Sequence, residues 1–380
     1  MAALSAGHLF TDVNQGAVAA LVPFLVAERG LSLAAAGSLV LAATLSSSIV
    51  QPLFGHFSDQ RPIPALMPLG VVLGGLGIAL AGVAPRYPLI FLCIVLSGLG
   101  VAAFHPESAR FANYVSGSRR ARGMSFFSIG GNAGVALGPA ITTPLVIFFG
   151  LPGTLFLVLP ASLMGLVLLY ELPRLLSFRP GTVEVAGDKD AETTAHWGAF
   201  ARMIGAVAMR SFVYFGLITF VAEYYVRVLG ASPAVGNAAL SVMLFAGGAG
   251  TLLGGALADR FGRRAVLAGS MLLLSPLICA FTLSGPLTGM IFLALVGAAT
   301  IGTFGVTVVM GQEHLPGRIG VAAGFTMGLS IGLGGVGAPI FGALADNYGL
   351  HTTMLAISAL PFIGLLLALS LPGRLRRPGV

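Results

Sequence analysis

Charge is what this chain has least of. Only 9% of its 380 residues are Asp, Glu, Lys or Arg, against about 25% in a typical soluble domain. That is too little polar surface to coat a water-soluble globule, and 56% hydrophobic residues assign the chain to a bilayer. Cysteine is scarce as well. Cys93 and Cys279 both fall inside apolar runs and belong to no CxxC or Cys/His cluster, so they read as two buried thiols, with no disulfide framework and no metal site. HExxH does not occur and no soluble catalytic domain appears, which gives an intramembrane enzyme no support. The opening MAALSAGHLF lacks a basic leader and a clean cleavage site, so the first apolar run is expected to be a retained helix. Lysine is nearly missing, with Lys189 the single example.

Glycine, in contrast, is abundant. Its 54 residues are roughly twice the usual share, and membrane helices use small residues to approach one another where no hydrophobic drive acts between them. Runs of about 20 apolar residues span a hydrocarbon core of about 30 Å as helices. Twelve are expected, near 4–27, 33–56, 63–84, 88–111, 121–148, 151–172, 199–226, 233–257, 264–283, 287–311, 319–344 and 350–372. The sixth and seventh are separated by the one long polar stretch. The expected organisation is therefore an N-terminal six-helix half (1–172), a linker (173–198) and a C-terminal six-helix half (199–380).

Internal repetition agrees with that division. GHFSD at 55–59 and GALAD at 255–259 lie 200 residues apart, and the same shift carries Gly134, Gly138 and Pro139 onto Gly334, Ala338 and Pro339. Tandem helical units in a membrane point to a transporter. Basic residues are also distributed unevenly. Sixteen fall on the side of both termini, and only Arg29, Arg86 and Arg227 on the other, which places both termini in the cytoplasm. The net charge of +7 has this origin, so the basic residues face headgroups and no nucleic-acid partner is expected.

Two motifs narrow the reading further. GALADRFGRRAVL (255–267) makes a tight turn with Gly255 and Gly262, directs Asp259 at the positive end of a neighbouring helix and keeps Arg260, Arg263 and Arg264 at the surface. It resembles the loop between the second and third helices of each half in the major facilitator superfamily, and the resemblance implies a latch on the cytoplasmic side. The first half keeps a partial copy with Gly55, Asp59 and Arg61, and with Pro62 in place of the second glycine. In GNAGVALGPAITT (131–143), Gly134, Gly138 and Pro139 resemble the core of the antiporter motif of that superfamily, although Thr142 and Thr143 stand where its final glycines would be. Gly130, Gly134 and Gly138 recur every four residues and form a packing seam on one helix face, with Pro139 as a bend. Gly324, Gly328 and Gly332 repeat the ladder in the eleventh helix. GLGVAAFHPESARFANYVSG, GHLFTDVNQGAVAALVPF, QPLFGHFSDQRPIPALMPLG and FFSIGGNAGVALGP together are similar to the bacterial fosmidomycin-resistance group of this superfamily. Fosmidomycin is a small phosphonate, and the group is taken as proton-driven drug exporters. The resemblance thus implies an all-α, twelve-helix membrane protein of the bacterial cytoplasmic membrane, a monomer whose partners are lipid, protons and a small-molecule substrate, with no cofactor.

Ionisable residues inside the spans cost at least about 2.5 kcal/mol each, which makes them functional candidates. His8 and Asp12 stand at i and i+4 in the first helix, with Gln15 a turn further on. His105, Glu107 and Arg110 occupy the inner end of the fourth. Asp12 and Glu107 are candidate proton carriers, because desolvation favours the neutral acid, and the histidines are candidate relays. For Glu107 with Arg110 a static pair at the interface stands as the other reading, for His8 with Asp12 a cap at the start of the first helix, and for His105 a hydrogen bond at the kink before Pro106. Arg210 lies deep in the seventh helix with Tyr214 at i+4. An anionic substrate would use its fork; pairing with a carboxylate or snorkelling is the alternative. Asn132 is a candidate substrate contact, Glu223, Tyr224, Tyr225 and Arg227 are expected as interfacial anchors, and Glu313 and His314 as surface residues. Proton-coupled export is the expected activity, with proton-coupled uptake or facilitated passage of an organic anion as the alternative.

Overall fold

The computed structural model describes residues 1–51, 53–54, 63–178, 196–315, 322, 325–326 and 330–372. They form α1 (Ala2–Arg29), α2 (Leu33–Ser48), α3 (Leu66–Val83), α4 (Tyr87–Ser116), α5 (Arg120–Phe149), α6 (Val158–Leu176), α7 (Trp197–Arg227), α8 (Pro233–Phe261), α9 (Arg263–Thr282), α10 (Pro286–Gly302), α11 (Phe304–His314) and α12 (Ser330–Leu369), with no strand among the described residues. Ten helical stretches are long and apolar enough to cross a membrane, with α10 and α11 counted as one crossing, Pro286–His314. The 16-residue α2 adds a shorter one. Gly349, at φ 83° and ψ 158°, divides α12 into two, which completes the twelve expected from the apolar runs. That backbone conformation is one only glycine adopts without strain.

Side-chain exposure shows where lipid would lie. On α6, Leu159, Leu163, Leu166 and Tyr170 are exposed, while Ala161, Met164, Gly165 and Leu168 are buried. A water-soluble helix would carry polar groups on its open face, so this apolar stripe is a surface for acyl chains.

By internal contacts the chain forms two compact units, one of Met1–Val183 with Thr219–Ser241, the other of Glu184–Ile218 with Val242–Val380. In the first unit, Asn237 Nδ2 of α8 donates a hydrogen bond to Ala20 O of α1 at 3.1 Å. A second feature of this unit is a glycine seam. A Cβ on Gly130, Gly134 or Gly138 of α5 would collide with α1 backbone at Ser5, Leu9 or Gly16, so these glycines let the two helices pack backbone to backbone. An apolar cluster of Leu4, Met67, Val71, Phe104, Phe111, Phe127, Met164 and Leu168 fills the space beside that seam. In the second unit Gly334 of α12 lies against Ser211 and the Phe215 ring of α7, and Gly337 against the Phe212 ring. Of the ladder 324, 328 and 332, the first two lie outside the described residues, and Gly332 has no neighbour close enough to meet a Cβ.

Candidate functional site

His8, Asp12 and His105 meet in the first unit. The i, i+4 spacing stacks His8 over Asp12 on α1, and His8 Nε2 lies 3.2 Å from Asp12 Oδ2. His105 arrives from α4, with its Nε2 3.4 Å from Asp12 Oδ1 and 3.2 Å from His8 Nε2. Gln15 Nε2 donates to Asp12 Oδ1 at 3.1 Å. His8 and Asp12 are buried and His105 is half-buried. Phe127 of α5 stacks on the His8 ring with centroids 4.1 Å apart, so packing as well as hydrogen bonding holds the imidazole.

The other ring nitrogens decide where the hydrogens sit. His8 Nδ1 lies 2.8 Å from Phe127 O, and His105 Nδ1 lies 2.8 Å from Val101 O. A carbonyl oxygen can only accept, so each Nδ1 carries a hydrogen and donates it. In a neutral imidazole the Nε2 is then a bare acceptor. Both Nε2 atoms therefore bring lone pairs towards a carboxylate, which also only accepts. Such a cluster needs at least one proton or another cation between its members. Two imidazoles and a carboxylate can also bind a small metal ion, and among the described residues this is the group of His, Cys, Asp and Glu whose donor atoms converge, all within 4.8 Å.

Gly131 closes the cluster from α5. A Cβ there would stand 2.8 Å from Asp12 Oδ2 and 2.5 Å from His8 Cε1. Pro106, following His105, has no N–H to offer Ala102 O, while the His105 imidazole bonds Val101 O, one residue earlier.

Glu107 belongs to a different contact set. It is fully buried, accepts from Ile63 N at 2.8 Å through Oε1 and has Arg110 Nη1 at 3.5 Å. Glu107 thus ties α4 to the segment before α3, with Arg110 beside it. Gln15 and Asn132 are exposed, and Asn132 directly follows Gly131.

In the second unit Arg210 is 3% exposed. Its Nη1 donates to Thr303 Oγ1 at 3.1 Å and Thr307 Oγ1 at 3.3 Å, and its guanidinium carbon lies 5.6 Å from the centre of the Phe304 ring. The Tyr214 ring packs edge-on against Phe215, centroids 5.1 Å apart.

The loop string at 255–267 forms the α8–α9 junction, turning on Gly262 at φ 89°. Arg263 pairs with Glu313, Arg264 donates to Leu369 O and Arg260 lies over the Phe261 ring. Gly255 has open space around it, and Asp259 is exposed. Gly55, Asp59 and Arg61 of the first copy lie outside the described residues.

Some expectations need correction. Glu223, Tyr224 and Tyr225, read as interfacial anchors, are buried, with Glu223 paired to Arg227; helix-end position does not reveal that the last two turns of α7 are covered. His314, read as a surface residue, is buried as well, with its Nδ1 on Met310 O at 2.6 Å. The residues Phe127, Gly131, Thr303, Phe304 and Thr307 were missed. The i, i+4 spacing of Thr303 and Thr307 was the signal available for two of them, since it puts both hydroxyls on one face.

The chain also matches known proteins. The sequence pattern described as Major Facilitator Superfamily covers residues 4–226 and 203–379. An uncharacterized MFS-type transporter of Bacillus subtilis, YfnC, is 34% identical over 366 residues, 94% of this chain and 89% of that one. The fosmidomycin resistance protein of Escherichia coli is 30% identical over 377 residues, 96% of this chain and 91% of the other. Among solved structures, a bacterial homolog of the human lysosomal transporter Spinster superposes with a TM-score of 0.76 at 18% identity, over 97% of this chain and 95% of that one, a likeness of fold. The chain is a multi-pass membrane protein that belongs to the major facilitator superfamily, a family of transporters and not of enzymes.

Proposed function

We propose that the protein is a proton-coupled exporter of a small drug-like or anionic compound, working as a monomer in the bacterial cytoplasmic membrane with both termini in the cytoplasm. Phosphonates of the fosmidomycin kind are the first candidates, because a relative 30% identical over 96% of the chain is a fosmidomycin resistance protein. The observation that supports proton coupling is the convergence of three acceptors at His8, Asp12 and His105. With one proton on either Nε2, the imidazolium donates to the Asp12 carboxylate. Without it, lone pairs oppose one another and the group must be rehydrated. Proton release is thus linked to opening of the site to water, which is the coupling that alternating access requires. One proton moving down one pH unit releases about 1.4 kcal/mol, enough to sustain roughly a tenfold gradient of exported compound.

Arg210 and Tyr214 in one half, and Gln15 and Asn132 in the other, are the proposed substrate contacts. The halves 1–172 and 199–380, joined by 173–198, are the proposed moving bodies. Gly130, Gly134, Gly138 and Pro139 would keep α1 and α5 moving together, and the turn from Gly255 to Arg264, with Asp259 and its counterparts Asp59 and Arg61, would latch the cytoplasmic ends. Glu107 and Arg110 would stabilise the inner end of α4.

Flux into and out of proteoliposomes under an imposed pH gradient tests the reading. Asp12→Asn keeps the shape of the side chain but cannot ionise, so it should abolish uphill export while leaving a folded protein. Uphill export by that variant would remove Asp12 from the mechanism. Accumulation in the same direction as proton flow would make the protein a symporter. Loss of wild-type transport on adding a chelator would replace the proton with a metal ion.

A further inference from the structure

The placement of Arg210 goes further than the sequence pattern. It stands near the middle of α7, and among the described residues no carboxylate pairs with it. Its surroundings are built to orient it. Thr303 Oγ1 donates its own hydrogen to Thr300 O at 3.5 Å and Thr307 Oγ1 to Phe304 O at 2.9 Å. Each hydroxyl therefore presents a lone pair to Arg210 Nη1. Both hydrogens of Nη1 are taken up in this way, and Phe304 lies against the guanidinium. The Nε and Nη2 edge, three further N–H donors, has no hydrogen-bond partner among the described residues. That edge is the one a planar guanidinium uses for two parallel bonds to an oxyanion.

The tenth crossing is also interrupted at this point. α10 ends at Gly302, Thr303 takes φ −92° and ψ 0°, and α11 starts at Phe304. α8 packs closely here, since a Cβ on Gly302 would lie 2.7 Å from Gly250 O. Interrupted helices and unpaired arginines at mid-membrane depth are tolerated where they meet a ligand or water. Among the described residues this arginine has two anchored hydrogens, one aromatic face, one donor edge without a partner and no counter-ion.

We infer that Arg210, held by Thr303 and Thr307, receives one oxyanion group of the transported compound, a carboxylate, phosphate ester or phosphonate. This rests on the transport reading and narrows its substrate to organic anions. Two neutral threonines orient the fork without neutralising it, so the positive charge remains available to the ligand.

Equilibrium binding to purified protein in neutral detergent separates this from proton coupling, because no pH gradient acts on the measurement. The probes are fosmidomycin, its uncharged phosphonate diester, phenyl phosphate and benzoate. At least one acid should bind wild type. Fosmidomycin should bind at least ten-fold more tightly than its diester. Arg210→Gln should weaken acids by roughly ten-fold to a hundred-fold, as expected for a lost charge-assisted pair, with the diester unchanged. Arg210→Lys should recover part of the loss. Thr303→Val and Thr307→Val, which retain the charge, should each weaken acids by about three-fold to ten-fold, and their thermal melting reports whether the fold survives. Equal losses for acid and diester, or no acid binding to wild type anywhere in the panel, would overturn the inference. Failure of pH-driven flux with this binding pattern intact would instead overturn the coupling reading alone.

Discussion

Gly131 offers the sharpest probe of the proton site, because it touches the cluster without contributing a titratable group. A methyl group added at Gly131 would stand 2.8 Å from Asp12 Oδ2 and 2.5 Å from His8 Cε1, well inside ordinary contact distance. Retreat of α5 would open the close seam that Gly130 and Gly134 make with α1 and forfeit its packing. His8 is held in turn by its bond to Phe127 O at 2.8 Å and by the Phe127 ring. Relief must come from a displacement of His8 or Asp12 of about 1 Å, which lengthens their 3.2 Å contact beyond hydrogen-bond reach. Overpacking of this kind costs about 1–3 kcal/mol, and a lost charge-assisted bond costs about 1.5–3 kcal/mol. Gly131→Ala should therefore lower pH-driven flux by about ten-fold to a hundred-fold, while binding of an organic acid at Arg210 stays within about two-fold. Gly269→Ala is the matched control, for open space surrounds that glycine in α9, and alanine favours a helix by up to about 1 kcal/mol. Proteoliposome flux and thermal melting, measured on both variants, decide the matter. Wild-type flux from Gly131→Ala would refute the claim that the three side chains must stay in contact.

The Glu107 contacts give a separate expectation. Glu107→Gln keeps an acceptor for Ile63 N and should retain uphill transport, whereas Glu107→Ala leaves that N–H unpaired and should cost about 1–3 kcal/mol in stability; loss of coupling in the Gln variant would return Glu107 to the proton path. Arg263→Ala removes the pair with Glu313 between α9 and α11 and should raise labelling of an engineered cysteine at the cytoplasmic mouth by a few-fold. The pair is partly exposed, worth about 1 kcal/mol or less, and unchanged labelling with unchanged turnover would leave the junction with no latch role.

Sequence alone determined what depends on one helix at a time. Span number followed from apolar length, and the family from motifs spread along the chain. The stacking of His8 on Asp12 was equally legible, because i, i+4 neighbours share a helix face whatever surrounds them. Partners from different helices were not legible. Glu107 and His105 stand two residues apart, about 200° around α4 at 3.6 residues per turn. Only the packing of α4 decided that His105 meets Asp12 while Glu107 meets Ile63. Likewise, 93 residues separate Arg210 from Thr303, and no local period links them. Position within an apolar span marked that arginine as costly, but the crossing of α7 with the tenth span decided that Thr303 and Thr307 hold its Nη1. Those contacts depend on helix crossing angles and on where small residues allow close approach, and both are properties of the packed bundle.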